Sequence, residues 1–375
     1  MEWNWQQPDW PAFSWKPKQL LAAEERFLRG GGVLVGTMKH MGPGDRERIN
    51  IDAMSLEAVT TSEIEGEMLD RASVQSSIQK QLGLAAGKSD QRKTGAAEQG
   101  IAEMMVDLYR NFAEPLSAKE LFRWHRMIMR GRQGLRDVGR YRTSPEPMQV
   151  VSGAFHNPRV HFEAPPSSKV PDEMARFVEW FQRTGPGGTA QLPAVTRAGV
   201  AHLYFVSIHP FEDGNGRIGR AIAEKSLAQS LDQPMVTGLA EAILTRRKEY
   251  YAELEAANKR NRIDRWLGWF AEVAAEAQRR TLERVEFVIE KTRLLDGLRG
   301  RLNARQEKVL LRMLREGPEG FKGGLSAGNY MTISGASPAT ATRDLADMVA
   351  QGALVREGEL RHARYRVAIH GDQTG

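Results

Sequence analysis

The stretch IHPFEDGNGRIGR, residues 208–220, decides how the rest of the chain is read. It lies between two stretches with helical apolar spacing, 195–208 and 218–231, so the loop from His209 to Gly216 is expected to lead directly into a new helix at Arg217. Unsatisfied N–H groups and the positive end of a helix dipole meet at such a place, which makes it an anion site. Gly214 and Gly216 let the backbone approach a phosphate closely, and Asn215 offers a side-chain amide beside them. Arg217 and Arg220, three apart, share one helical face and can reach a polyphosphate with forked donors. Asp213 can hold Mg²⁺, because hard cations on nucleotides are bound by one or two carboxylates plus phosphate oxygens. His209, with a near-neutral pKa, suits the removal of a proton from an incoming hydroxyl. A single histidine or a Gly-Asn-Gly turn is ordinarily structural. A base, a metal ligand, an anion cradle and two arginines together point to chemistry on a nucleotide.

Outward from this loop the chain reads as mainly helical. Helical spacing is expected over 18–30, ended by Gly30, Gly31 and Gly32, then over 45–84, with a polar loop at 87–95. It continues over 98–112 and over 117–131, where Ser117 and Glu120 form a capping box. Residues 148–166, MQVVSGAFHNPRVHFEAPP, alternate apolar and polar around Gly153 and Asn157-Pro158 and read as a β-hairpin. Further helices are expected at 170–184, 195–208, 218–231, 245–260 and 266–292. Residues 303–369 form a separate unit: helices at 305–316 and 327–333, a third opened by Ser337 and Pro338 and closed by Gly352, then strands at 353–357 and 365–369 flanking ELRHAR. That is the order of a winged helix-turn-helix. Four of the eight tryptophans fall in the first 15 residues, interleaved with Pro8, Pro11 and Pro17, and read as an extended arm pinned by its indoles. The expected domains are 1–95, 96–295 and 300–370.

Composition narrows the classes. With 41% hydrophobic and 27% charged residues the chain is an ordinary soluble globular protein, and the net charge of +6 is a weak hint of an anionic partner. The absence of cysteine excludes disulfides, thiolate metal sites and a cysteine nucleophile. There is no apolar run of membrane-spanning length and the first residues do not resemble a signal peptide, so a cytoplasmic protein is expected.

The 208–220 segment resembles the signature of the Fic family, His-x-Phe-x-(Asp/Glu)-Gly-Asn-Gly-Arg-x-x-Arg, at each fixed position: His209, Phe211, Asp213, Gly214, Asn215, Gly216, Arg217 and Arg220. The resemblance implies a helical core with the hairpin as a flap, and transfer of AMP from Mg²⁺-ATP to a Ser, Thr or Tyr hydroxyl of another protein. It implies His209 as general base and Asp213 as Mg²⁺ ligand. Gly214, Asn215 and Gly216 lie around the α- and β-phosphates, Gly219 in the same nucleotide-binding stretch, and Arg217 and Arg220 on the β- and γ-phosphates. Phe211 is implied to be a buried anchor. Arg247-Lys248-Glu249-Tyr250-Tyr251 resembles the segment whose aromatic residue lines the nucleotide, with Asn258 placed to bond the base; either tyrosine can equally belong to the core.

Thr61-Ser62-Glu63-Ile64-Glu65-Gly66 fits the family's inhibitory pattern, (Ser/Thr)-x-x-x-Glu-(Gly/Asn). Composition alone does not choose among Glu63, Glu65 and Glu67; the pattern chooses Glu65, whose carboxylate would occupy Arg220 and deny it to the γ-phosphate. The resemblance thus implies a self-inhibited, self-modifying adenylyltransferase with an N-terminal inhibitory helix. The flap is implied to dock the target by strand pairing. For 303–369, DNA binding through Thr340, Thr342, Arg343, Arg361, His362 and Arg364 stands beside protein contacts or homodimerisation. A winged-helix regulator that only senses nucleotide, and a Fic site that removes AMP, are the competing readings.

Overall fold

The computed structural model describes residues 2–84, 94–154, 157–318 and 320–369; most of the loop expected at 87–95 and the hairpin tip at 155–156 lie outside the described residues. The chain divides into two compact units, residues 1–40 with 46–281, and 41–45 with 282–375. The fold is mostly helical.

Helices α1 (Leu21–His40), α2 (Pro43–Ile64), α3 (Arg71–Gln81), α4 (Ala96–Arg110) and α5 (Ala118–Ile128) precede a hairpin of β1 (Gln149–Ala154) and β2 (Asn157–Glu163). After it come α6 (Val170–Arg183), α7 (Ala194–Ile208), α8 (Asn215–Leu231), α9 (Leu239–Thr245), α10 (Arg247–Ala257) and α11 (Asp264–Gly297). Every residue of α7 is buried, which marks it as the central helix, and α8 packs along it. The site loop is the connection between these two most enclosed helices, so its ends are fixed by the core.

Three expectations about helix boundaries are corrected. The triple glycine does not end α1, which runs on to His40. Gly30 and Gly31 are contact points instead: a Cβ on Gly30 would lie 2.3 Å from Gln278 Oε1, and one on Gly31 2.4 Å from Leu231 Cδ2. Close packing offsets the low helix propensity of glycine. The single helix expected over 45–84 is two, parted at 65–70, where Gly66 takes a φ of 83° and Asp70 caps α3 by accepting from the Ser73 N–H at 2.8 Å. The helix expected over 245–260 starts at Arg247, after the separate short α9.

A glycine also sets the approach of α4 to α5. A Cβ on Gly100 would meet the Met127 carbonyl oxygen at 1.9 Å, and a backbone carbonyl cannot rotate away. Gly100→Ala is expected to destabilise the protein by about 1–3 kcal/mol, read as a lowered midpoint in urea unfolding.

The N-terminal arm is pinned by its indoles. Trp3 packs edge-on against Phe162 of β2 at 5.5 Å, and the Trp5 indole donates to the Glu163 carbonyl at 2.6 Å. Trp10 donates to Glu173 at 3.0 Å and meets Tyr204 edge-on at 5.2 Å. The arm therefore holds the base of the hairpin.

The second unit contains α12 (Ala304–Leu314), α13 (Ala327–Ser334), α14 (Pro338–Ala350), β3 (Leu354–Glu357) and β4 (Arg364–Val367), in the order expected from the sequence. The strands pair antiparallel, Leu354 opposite Val367, and Leu325 bridges Tyr365. Ser337 caps α14 by accepting from the Thr340 N–H. On α14, Thr342 and Arg343 are exposed. Asp344 is turned inward, accepting from Tyr330 Oη at 2.9 Å and Arg305 Nε at 3.1 Å. Arg361 lies in a short 3₁₀ turn between the strands, and its side chain lies outside the described set. No described helix is long and apolar enough to cross a membrane.

Candidate active site

His209 is the C-terminal cap of α7 and takes the left-handed conformation, φ 51° and ψ 59°, uncommon for a residue with a Cβ. Its N–H bonds to the Phe205 carbonyl at 3.1 Å, and its ring Nδ1 lies 3.3 Å from the Val206 carbonyl. A carbonyl only accepts, so Nδ1 carries the proton and Nε2 is left with its lone pair. Burial, with Arg142 adding to it, lowers the imidazole to about 4, against the opposing pull of the Val206 carbonyl, Glu65 and Asp213. The ring is therefore neutral, with the Nε2 lone pair free, through the physiological range.

The loop beyond it is held from within. Phe211 is fully buried and stacks on His125 at 4.2 Å. Asn215 is spent on the loop itself: its Oδ1 accepts from the Phe211 N–H at 3.0 Å and its Nδ2 donates to the Phe211 carbonyl at 2.8 Å. The amide expected beside the phosphates thus braces the loop. What α8 presents is an N-terminus with no side-chain cap, opened by Gly214 at φ 82°. Gly219 lies where α8 crosses α7; a Cβ there would meet Val206 Cγ1 at 2.9 Å.

Both signature arginines are buried, and each holds an acid. Arg220 Nη2 donates to Glu65 Oε1 at 2.8 Å and to the Thr61 carbonyl at 2.9 Å, and its Nε donates to Thr61 Oγ1 at 2.7 Å. Burial works against the charge, but the Glu65 carboxylate together with Tyr250 and Tyr251 outweighs it, and the guanidinium is held above its ordinary value. Arg217 Nη1 donates to Glu67 Oε2 at 2.7 Å. Arg132 stands 3.6 Å from the other Glu67 oxygen. The carboxylate of Glu65 sits over the cradle, 2.1 Å from where a Gly216 Cβ would be. Arg217 Nε and Nη2 are buried without a hydrogen-bond partner, donors that suit the oxygens of a polyphosphate.

Asp213 is 41% exposed, with Oδ2 3.7 Å from Arg217 Nη2. The described residues hold no cluster of three acidic or histidine side chains able to form an all-protein metal site. Mg²⁺ fits here in the nucleotide-bound manner, with one carboxylate and the remaining ligands from phosphate and water.

A cleft of about 650 Å³ joins these groups. Glu65, His209 and Gly216 line one part; Val150, Val151 and Phe162 of the hairpin, and Arg247, Tyr251 and Asn258, line others. The two tyrosines divide between the alternatives left open by sequence. Tyr250 is buried, bonded to His202 Nε2 at 2.9 Å, whereas Tyr251 is 39% exposed and its hydroxyl donates to the Ile64 carbonyl at 3.1 Å.

Several supporting residues carry no sequence signal. Arg142 Nε donates to the His209 carbonyl at 2.8 Å and its Nη2 to the Pro165 carbonyl, tying the site loop to the end of the flap. A relay starting in the N-terminal arm reaches Asn258. The Trp5 N–H donates to Asn4 Oδ1 at 2.8 Å, so Asn4 Nδ2 is the atom that donates to Ser207 Oγ at 2.9 Å. Ser207 has one proton left to give, and it goes to Asn258 Oδ1 at 3.1 Å. Asn258 then presents its Nδ2 N–H groups to a ligand, with a second lone pair left on Oδ1. Asn4→Ala is expected to destabilise the protein by about 1–3 kcal/mol, because it takes the buried partner from Ser207 Oγ and from the Trp5 N–H; urea unfolding checks it.

Residues 115–227, which include the whole 208–220 loop, match the Fic/DOC family, and residues 3–84 match a domain of unknown function, DUF4172. The chain is 29% identical over 146 residues to protein adenylyltransferase fic-1 of Caenorhabditis elegans, covering 39% of this chain and 25% of that protein. It is 29% identical over 98 residues to a probable protein adenylyltransferase of Aquifex aeolicus, covering 26% of this chain and 27% of that one. It thus spans about a quarter of the length of the curated relatives it matches. A crystal structure of a Fic family protein from Desulfovibrio desulfuricans superposes with a TM-score of 0.52 at 19% identity, over 94% of this chain and 97% of that one, a likeness of fold.

Proposed function

We propose, with the Fic/DOC match over residues 115–227 as premise, that the chain is a self-inhibited protein adenylyltransferase. The observation that carries this reading is the bare Nε2 of a neutral His209 at the mouth of a cleft shared with the uncapped N-terminus of α8. ATP would lie with its phosphates over Gly214, Asn215 and Gly216, its charge met by Arg217 and Arg220, and its adenine toward Tyr251 and Asn258. Asp213 would hold the Mg²⁺, which neutralises phosphate charge when bound. His209 takes the proton of a target Ser, Thr or Tyr hydroxyl as the oxygen attacks the α-phosphorus, and pyrophosphate leaves in line. Positioning and charge neutralisation supply most of the acceleration. The target backbone would pair with the hairpin strand that borders the cleft.

On this reading Glu65 is the inhibitor. While it is bonded to Arg220, that guanidinium is withheld from the γ-phosphate, and ATP binds in a pose that does not react. The second unit would serve DNA or protein contacts, homodimerisation included. Incubation with radiolabelled ATP and Mg²⁺, alone and with lysate, tests the whole: covalent AMP on lysate proteins is expected for Glu65→Gly and is expected to fall steeply when His209→Ala is added. No label with Glu65→Gly, together with salt-sensitive binding to duplex DNA, would favour a nucleotide-sensing regulator.

A further inference from the structure

The cleft contains a second histidine, in an arrangement that the transfer to an external target does not use. The register of the hairpin shifts between Val150 and Val151, which face Phe162 and Val160, so His161 is the extra residue of a bulge. Bulges re-aim side chains. Here His161 Nδ1 lies 2.8 Å from Glu255 Oε2 on α10, and His161 Nε2 lies 2.6 Å from Ser152 Oγ on the facing strand. The carboxylate only accepts, so Nδ1 carries a proton; in the neutral imidazole Nε2 then has a lone pair, into which the Ser152 hydroxyl donates. Arg159 at 3.1 Å and Lys259 at 3.2 Å also hold Glu255, and His161 with these cations keeps it ionised, at about 2. A hydroxyl, a base and a carboxylate that orients the base are thus in line.

Three described residues lining the cleft carry a hydroxyl: Ser152, Tyr250 and Tyr251. Burial raises the pKa of both tyrosines, and Tyr251 is committed to the Ile64 carbonyl. Ser152 alone of the three is exposed on a strand and donates into a base held by a carboxylate. Next to His161 in the chain, the Phe162 ring stands 6.5 Å from the ring of His209. Clamping the hairpin to α10 does not need Ser152, since Arg159 and His161 already make that connection.

We infer that Ser152 is an acceptor of AMP within the chain itself, activated by the His161–Glu255 pair. The inference rests on the adenylyltransferase reading above. In the step, Ser152 Oγ forms a bond to the α-phosphorus of ATP, the bond from that phosphorus to the bridging oxygen of the β-phosphate breaks, and pyrophosphate leaves with the electron pair. The serine proton passes to His161 Nε2, and the imidazolium is stabilised by Glu255 before releasing it to solvent. The product is a Ser152–AMP phosphodiester on the hairpin that borders the target's own entry.

The test is peptide mapping by mass spectrometry of full-length Glu65→Gly protein after incubation with ATP and Mg²⁺, with lysate labelling run in parallel. AMP is expected on the peptide containing residue 152. It should vanish from that peptide in Glu65→Gly/Ser152→Ala, persist on the threonine of Glu65→Gly/Ser152→Thr, and fall on the order of 10²-fold in Glu65→Gly/His161→Gln. Self-label confined to other residues, or unchanged by Ser152→Ala, overturns the inference. Labelled lysate proteins with an unmodified residue 152 overturn it and leave the transferase standing. No label on any protein overturns the transferase reading and this inference with it.

Discussion

Replacing Glu65 by glycine is expected to raise the rate of AMP transfer, to self and to target, on the order of 10³-fold, the lower end of what one phosphate-neutralising arginine contributes to phosphoryl-type transfer. The change removes the 2.8 Å partner of Arg220 Nη2 but leaves that guanidinium bonded to Thr61 Oγ1 and the Thr61 carbonyl, so it stays aimed at the cradle. Removal also clears the space over Gly216 that the carboxylate fills. Initial rates of label incorporation under saturating ATP check the size. A Glu65→Gly/Arg220→Ala double variant should lose the gain, because the acid acts through the arginine. Equal rates for wild type and Glu65→Gly would remove Glu65 from the account. Glu67 on Arg217 is a second acid on the cradle, so Glu67→Gln in the Glu65→Gly background should add a smaller increment.

His209→Ala in the Glu65→Gly background should cost about 10²–10⁴-fold in the rate of the chemical step of transfer to a target, the ordinary worth of a positioned general base, with the affinity for ATP little changed. Single-turnover kinetics separates the two. The pH profile carries the same signature. A base works when unprotonated, and burial lowers this imidazole to about 4 from an ordinary 6.5, so the acid limb of the rate is expected near pH 4 and the rate is flat through pH 6–7. Glu65 raises the His209 value, so its removal moves that limb further down. A limb near 6.5 that disappears in His209→Ala would mean that the imidazole is solvated when it works.

Much of the site loop is local and was legible for that reason. The helix–loop–helix reading of 195–231, the hairpin and the helix–helix–helix–strand–strand order of the second unit follow from apolar period, glycine position and capping residues, all of which act over a few residues. The contact of Glu65 with Arg220 spans 155 positions, and only the resemblance of 61–66 to a family pattern pointed to it. Asn215 shows the limit of local reading: nothing in its sequence neighbourhood says that both ends of its amide turn back on Phe211. Asn4, Ser207 and Asn258 meet across more than 200 positions, and Ser152, His161 and Glu255 across a strand bulge and a helix face. Pairings of that kind are decided by packing. Gly30 and Gly31 show the same in reverse, since punctuation in sequence turned out to be clearance for Gln278 and Leu231.

The parting of α2 from α3 has a consequence for how activity would be released. Glu65 follows the last residue of α2, held by its own N–H on the Ser62 carbonyl at 3.1 Å, with Gly66 beyond it in a left-handed turn. Helix ends fray, and one turn can melt at a small fraction of the global unfolding free energy. If Glu65 inhibits as proposed, its hold on Arg220 would lift by local opening of a terminal turn while the buried body of α2 stays in place. On that view the resting activity is a thermometer of that turn: it should climb with temperature in step with amide exchange at residues 62–66, well below the melting of the protein.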